Sequence, residues 1–358
     1  MHRPRKVPRS AHLADGRSIH YFDDLPGRFG DPAPDRRALV SEPSSAELRH
    51  DALLDEWVVV ATHRQTRTHL PAARDCPLCP STEHNATEIP ASAYDVVVFE
   101  NRFPSLPAAA PGGPARGRCE VICYSSDHNA TFAGLDDDRL RTVADAWLSR
   151  SEALAAEPGV EYLLCFENRG EEIGVTLHHP HGQIYAYPYI PSRVARLIAT
   201  SAQHRQRADS CIGCDLLAEE LTDGRRIVVA GEHAVAYVPF AARWPFELHV
   251  VPRRHVTSLG GLTGEELDEL VALQAEVLHR LDAVFEGAVP YMAGWLGAPV
   301  AEGSEPLHLR LEIISPQREF GKLKFLAGSE TLAGAFINDV RPEEAAERLR
   351  RAPGRSRR

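Results

Sequence analysis

Five consecutive residues, His179-Pro180-His181-Gly182-Gln183, carry the strongest chemical signal in the chain. Side chains along a β-strand alternate faces, so residues two apart share one. His179, His181 and Gln183 are therefore expected on a common face and His178 on the other. Val175-Thr176-Leu177 before the motif and Ile184-Tyr185-Ala186-Tyr187 after it have the β-branched and aromatic content of a strand. An imidazole beside a short amide suits phosphoryl transfer: the ring nitrogen attacks phosphorus and the amide steadies the oxygens as charge grows there. Gln183 has no proton to give as an acid. One of these imidazoles, paired with the amide of Gln183, is the candidate for that chemistry.

A second kind of chemistry is written in cysteine. Of seven cysteines, four form two CxxC pairs, Cys76-Pro-Leu-Cys79 and Cys211-Ile-Gly-Cys214. The odd count and the lack of a visible export signal argue against a disulfide framework. A redox CxxC needs a helix start after a buried strand. Arg74-Asp75 and Asp209-Ser210 precede these pairs instead, so metal binding is expected at both, with histidine among seventeen available as partner.

The elements that must position these groups occur twice. His128 and His255 each follow an extended apolar stretch, Val121–Tyr124 and Leu248–Val251, and each has a glutamate eight residues upstream, Glu120 and Glu247. Each is followed by a helix-period stretch, Asp136 to about Ala156 and Gly264 to Phe285, the second opened by the capping box Thr263-x-x-Glu266. The polar strand at 179–183 lies 51 residues past His128, and His308-Leu-Arg310-Leu-Glu312 lies 53 past His255. A duplicated unit follows, with Ser192–Arg207 as a connecting helix. The expected fold is α+β, two halves with mainly antiparallel sheets and flanking helices, able to pair their sheets about a pseudo-twofold axis. The boundaries read as an N-terminal extension over 1–40, partly disordered, a catalytic half over 41–195, a second half over 196–345 and a basic tail over 346–358.

Composition narrows the class. The 358 residues are 43% hydrophobic and 25% charged, ordinary for a globular protein. No run of about 18 apolar residues occurs, so no membrane span is expected, and the compartment reads as cytoplasmic. Net charge is −10, yet four basic residues crowd positions 1–9 and six arginines crowd 348–358, leaving −20 on the body between. Such a body repels polyanions and speaks against nucleic-acid binding.

His-Pro-His-Gly-Gln-Ile-Tyr-Ala resembles the signature of galactose-1-phosphate uridylyltransferases, within the histidine-triad superfamily. Other stretches agree: Trp57-Val-Val-Val60 with Arg64 and Arg67, Cys76-Pro-Leu-Cys79, Phe99-Glu-Asn101-Arg-Phe103-Pro, Cys165-Phe-Glu-Asn168-Arg-Gly170, Trp244-Pro-Phe-Glu247, Gly294-Trp295, and Lys324-Phe325 with Glu330. The match spans about residues 45–350. The resemblance implies two fused histidine-triad-like halves, a homodimer, and ping-pong exchange. UDP-glucose would give its uridylyl group to His181 and release glucose 1-phosphate. Galactose 1-phosphate would then take the group as UDP-galactose. A phosphate leaving group, with a second pKa of about 6, needs little protonation, which fits glutamine at position 183.

The resemblance further implies a zinc on Cys76, Cys79, His128 and His179, and no redox cofactor. Asn168, Gly174, Thr176 and Gln183 would hold phosphoryl groups, and Arg64 and Arg67 would meet phosphate. Asn101 and Phe103 would line the uridine pocket, with Arg102 where many members have aspartate. Lys324, Phe325 and Glu330 would serve the hexose phosphate, contributed across the dimer. Enterobacterial members carry an iron-type site in the second half, but here its positions hold Leu197, Leu296, Arg310 and Glu312. The repeat suggests a replacement: Cys211, Cys214, His255 and His308 fall opposite the first metal set, so a second zinc is expected there. Arg310 falls opposite the nucleophile, so the second half is expected to be catalytically silent. The nearest rival is an ADP-glucose phosphorylase-like adenylyltransferase. A non-enzymatic zinc-binding module would need basic surfaces near its clips, where Asp215, Glu219, Glu220 and Asp223 stand instead.

Overall fold

The computed structural model describes residues 5–39, 46–106, 116–300 and 307–356. In chain order the strands and helices of the first half are β1 (Arg9–His12), β2 (Ser18–Phe22), β3 (Glu47–Asp51), β4 (Glu56–Val60), β5 (Val96–Glu100), β6 (Arg118–Cys123), α1 (Asp137–Ala155), β7 (Tyr162–Arg169) and β8 (His181–Tyr187). The connector α2 (Ser192–Ala208) leads to α3 (Ile212–Asp223), β9 (Ile227–Ala230), β10 (Ala234–Tyr237), β11 (Phe246–Pro252), α4 (Gly264–Val284), β12 (Tyr291–Leu296), β13 (Arg310–Ser315), α5 (Gly328–Ala333) and α6 (Pro342–Arg351), apart from the short hairpin 317–323.

Eleven strands form one antiparallel sheet in the order β1-β2-β5-β6-β8-β7-β12-β13-β11-β10-β9. Reading outward from the β7–β12 seam, β8, β6 and β5 on one side mirror β13, β11 and β10 on the other. That mirror is the duplicated unit, fused edge to edge so that neither half keeps an open strand at the seam. The pairing there runs from Arg169 opposite Tyr291 to Cys165 opposite Trp295.

The two long helices start where their caps say they should. Asp136 accepts from the Arg139 amide at 2.8 Å, and Thr263 and Glu266 form the reciprocal capping box. Both helices lie on one sheet face. Their apolar stripes, including Leu140, Val143, Trp147, Leu270, Val277 and Leu281, bury Ile122, Tyr124, Cys165, Ile184, Leu248, Ala293 and Ile313. The opposite face carries Val97, Phe99, Val121 and Cys123 under a lobe containing Cys76, Leu78 and Tyr94. The site is built on this second face.

Four expectations need correction. The first forty residues are not merely an extension: β1 and β2 add two strands to the sheet edge, and Ile19, Tyr21 and Phe22 are buried. Burial of each such side chain contributes roughly 1.5–3 kcal/mol, enough to order a basic segment whose Arg17 and Arg37 are themselves paired with carboxylates. The tail read as starting at 346 begins inside α6, whose Ala345, Ala346 and Leu349 are fully buried, and Arg355 reaches Asp137 of α1 at 3.0 Å. Glu120 and Glu247 are not equivalents. Ile122 pairs with Gly182 and Val250 with Leu311, so the histidine lies six residues on in one half and five in the other. A one-residue slip flips a strand's faces, so Glu120 turns to the helices, where Arg150 clamps it at 2.6 and 2.9 Å, while Glu247 turns to the opposite side. Finally, β8 begins only at His181, because Pro180 has no N–H for the ladder; His179 precedes the strand.

Candidate active site and metal clusters

His181 is half-buried at the start of β8. Its Nδ1 lies 2.7 Å from the His179 carbonyl, which can only accept. The proton is therefore on Nδ1, and the lone pair of Nε2 is free. Burial pushes the ring below its ordinary value of 6.5, so it is neutral at neutral pH. Gln183, two residues on, shares its face. Both line a cleft with Arg64, Arg67, Asn101, Phe103 and Thr176. Seven of the expected site residues thus come together from four separated segments.

The loops that bring them are tied to one another. The Leu70 amide donates to the Thr176 carbonyl at 2.8 Å, joining the arginine-bearing turn to the segment before β8. Arg64 donates to the Phe103 carbonyl at 2.9 Å and to Ser105 at 2.7 Å. Asn101 accepts from the Phe103 amide at 2.9 Å, an Asx-type turn that fixes the Phe103 ring direction. Asn168 extends the β7–β8 pairing one step past Glu167 opposite Gly182, which puts it on the nucleophile's face. Gly174 sits at φ +84, a backbone conformation that favours glycine. His178 points away and meets Glu171 at 3.1 Å.

The group expected to act across a dimer lies away from this cleft in its own chain. Lys324 and Glu330 do not line this cleft; they form a buried pair at 2.7 Å. The lysine also donates to the carbonyls of Arg243 and Ile337, so its three hydrogens are engaged within its own chain. Phe325 beside them is 73% exposed.

The cleft has a wall that sequence reading missed. Glu88 lines it, held by Arg17 at 2.6 Å and Arg37 at 2.7 Å, both from the N-terminal segment. Arg102 stands 3.5 Å from the same carboxylate and over the Phe103 ring at 5.7 Å. Nothing in the local pattern around Glu88 marks it; only the long-range fold brings the arginines to it.

Gly182 lies between the two working residues. A Cβ there would fall 2.1 Å from the Tyr124 hydroxyl and 2.8 Å from the Phe166 carbonyl oxygen. Gly182→Ala is expected to cost about 1–3 kcal/mol from overpacking, read as a lowered Tm together with slowed turnover.

Beneath the nucleophile, Cys76, Cys79, His128 and His179 bring their ligand atoms within 4.8 Å of one another. Cys79 Sγ lies 3.4 Å from His128 Nδ1 and 3.5 Å from His179 Nδ1. A tetrahedral zinc with its usual bond lengths sets sulfur and nitrogen ligands about 3.6 Å apart, so the set fits that ion. His179 Nε2 donates to the Ser125 carbonyl at 2.8 Å, with the Tyr94 oxygen at 2.9 Å, leaving Nδ1 as the free lone pair facing the sulfurs. Burial and the neighbouring Cys76 push the Cys79 thiol up to about 12, a cost that a dication would reverse. Tyr94 carries no sequence signal of this role.

Cys211, Cys214, His255 and His308 repeat the arrangement. Cys214 Sγ stands 3.5 Å from His255 Nδ1 and 3.4 Å from His308 Nδ1, and His308 Nε2 donates to the Pro252 carbonyl at 2.9 Å. The histidine rings cross at 70° in both clusters, with centroids 5.6 and 5.3 Å apart. Cys211 caps α3, so this pair does open a helix, but it follows α2 rather than a buried strand. Gly213 is required here: a Cβ would lie 2.5 Å from that of His308.

Above this second cluster the chemistry differs. Arg310 occupies the place of His181, and a guanidinium offers no nucleophilic lone pair. Its Nε donates to Glu312 at 2.9 Å, and Arg193 donates to the same carboxylate at 2.6 Å. Burial pushes Glu312 up, but Arg310, His249 and Arg193 outweigh it and hold the group at about 2. Glu247, His249 and Glu312 also cluster, yet Arg243, Arg193 and Arg310 already balance their charge.

Fold and site together define a duplicated α+β protein in which one half presents a neutral histidine over a Cys2His2 cluster, beside an arginine-lined cleft. The sequence profile of the galactose-1-phosphate uridyl transferase N-terminal domain matches residues 39–191, and that of its C-terminal domain matches 198–356. The chain belongs to the galactose-1-phosphate uridylyltransferase family. It is 41% identical over 359 residues to the galactose-1-phosphate uridylyltransferase of Streptomyces lividans, covering 95% of this chain and 96% of that one. A solved structure titled as that of a uridylyltransferase matches with a TM-score of 0.76 and 31% identity, over 85% of this chain and 97% of the other. An ADP-glucose phosphorylase from Arabidopsis thaliana shares the fold at a TM-score of 0.68 and 23% identity, over 86% of this chain and all of its own.

Proposed function

We infer that the protein exchanges a uridylyl group between hexose 1-phosphates, converting UDP-glucose and galactose 1-phosphate to glucose 1-phosphate and UDP-galactose. The observation that carries this reading is His181: a neutral ring with its Nδ1 proton held by the His179 carbonyl and its other nitrogen free beside Gln183. In the first half-reaction Nε2 bonds to the α-phosphorus of UDP-glucose, the bond to the β-phosphate oxygen breaks, and glucose 1-phosphate leaves. In the second, a phosphate oxygen of galactose 1-phosphate attacks the same phosphorus and frees the ring. Arg64, Arg67, Asn168, Thr176 and Gln183 meet phosphoryl oxygens, the backbone turn at Gly174 shapes their approach, and Asn101 and Phe103 receive the base. A zinc on Cys76, Cys79, His128 and His179 supplies rigidity when bound: it fixes His179, whose carbonyl orients the nucleophile. Cys211, Cys214, His255 and His308 hold a second.

The working form is a homodimer. Phe320, Phe325, Leu326, Leu332 and Ile337 stand exposed in one stretch of the second half, which supports pairing with another copy. Phe325 is the residue of the expected hexose-phosphate group that reaches across.

Two experiments test the reading. The protein is mixed with UDP-glucose or ADP-glucose labelled in the α-phosphate, without acceptor, then denatured. Label from UDP-glucose on histidine is expected; label from ADP-glucose alone assigns the adenylyl reading instead. Protonation of His181 is displaced to lower pH, so the ring itself is expected to stay neutral as pH falls to 6.5. A His181 ring titration followed by NMR and centred at or above 6.5 would contradict it.

A further inference from the structure

On the sheet face opposite the nucleophile, a carboxyl is buried directly behind it. Glu167 of β7 pairs with Gly182 of β8, between His181 and Gln183, and is 5% exposed among the apolar side chains under α1 and α4. Buried carboxylates are costly unless paired, and this one has no arginine clamped to it as Glu120 does. One oxygen accepts from the Tyr291 hydroxyl of β12 at 2.8 Å, across the seam from the second half. Among the described residues the other, Oε2, has no hydrogen-bond partner, and neither has the Tyr124 hydroxyl, which sits against Gly182 from the same side. Glu167 is the foremost charge acting on Tyr124. The remaining charged groups near Glu167 are engaged with each other: Arg169 binds Asp282 of α4 and lies over the Tyr291 ring at 4.6 Å.

We propose that Glu167 is a positioning residue for His181: held by Tyr291 from the second half and facing the Tyr124 hydroxyl across Gly182, its carboxyl sets the seat of the strand that presents the nucleophile. The proposal rests on the uridylyl-transfer reading and extends it to the silent half, which then contributes to the working site through Tyr291. As a carboxylate the group accepts from the Tyr291 hydroxyl and acts electrostatically on the Tyr124 hydroxyl, and the strand is held from behind at the one position where glycine leaves room. Once protonated it loses an acceptor, and the seat loosens. Burial pushes Glu167 up to about 7, with the Tyr291 hydrogen bond and Arg169 opposing, so the change falls near neutrality, well separated from the lowered titration of His181.

The test is rapid-mixing measurement of histidine labelling by UDP-glucose across pH 5.5–9 in wild type, Glu167→Gln and Tyr291→Phe. Expected is a wild-type rate that rises with pH through about 7, and a Glu167→Gln rate lower by about tenfold at pH 8 and flat through that region, as sub-ångström loss of alignment produces. Final label per chain and KM for UDP-glucose should stay within twofold, and Tyr291→Phe should also slow labelling. Unchanged rates and pH profiles in both variants overturn the proposal. So does a lowered Tm with normal labelling, which would make the pair structural only. No label on wild type overturns the transfer reading and this proposal with it, whereas label on wild type with unaltered variants overturns this proposal alone.

Discussion

His181→Ala is expected to remove exchange activity by at least about 10⁴-fold and to leave no label on the protein, while the fold survives. The magnitude follows from the role. A covalent route through a neutral imidazole has no substitute in this cleft, because Gln183 is neither nucleophile nor base and the remaining polar lining groups are guanidiniums, an amide, two hydroxyls and the carboxylate of Glu88, which Arg17 and Arg37 already engage. The stability cost is small for the converse reason. The ring is half-buried and makes one hydrogen bond, to the His179 carbonyl, worth about 1 kcal/mol. Gln183→Ala should behave differently: label still forms, but about 10²–10³-fold more slowly, the usual cost of removing one donor to a developing oxyanion. Circular dichroism, Tm and label stoichiometry on the same preparations separate the cases. Turnover in His181→Ala within tenfold of wild type would end the covalent account.

Much of this site could be read in the residues, and the part that could not has a common cause. The placing of His181 beside Gln183 and the gathering of both Cys2His2 sets were legible because their pattern is local: a two-residue alternation, a two-residue cysteine spacing, a repeat in which His308 stands to His255 as His179 does to His128. The cap of α4 was legible for the same reason, since a cap is satisfied within four residues. What stayed hidden depends on distant segments. Glu88 acquires its place only when Arg17 and Arg37 fold across it, and β1 and β2 look like an extension until Tyr21 and Phe22 find β5. The equation of Glu120 with Glu247 failed by one residue, which spacing to the next histidine cannot detect but strand register decides at once.

Removal of metal ligands should divide the two halves. Wild type is expected to hold two zinc ions per chain by elemental analysis. Cys211→Ser should leave one and lower the Tm, yet keep histidine labelling within about threefold, because the group above that cluster is Arg310, locked to Glu312, and takes no part in transfer. Cys79→Ser should also leave one, but abolish labelling. The reason is the single carbonyl that links cluster to nucleophile: Cys79 faces His179 Nδ1, and the His179 carbonyl holds the Nδ1 proton of His181. Freed of its metal, His179 lowers its desolvation cost by turning outward, and the nucleophile loses both its tautomer and its direction. Since zinc affinity and folding are linked, both variants lose stability, and only the labelling distinguishes them. Two clusters of matching geometry thus differ in consequence because of what stands on the strand above each. One zinc per chain in wild type, unaffected by Cys211→Ser, would remove the second site, and full labelling in a Cys79→Ser protein shown to lack the first zinc would break the link from metal to nucleophile.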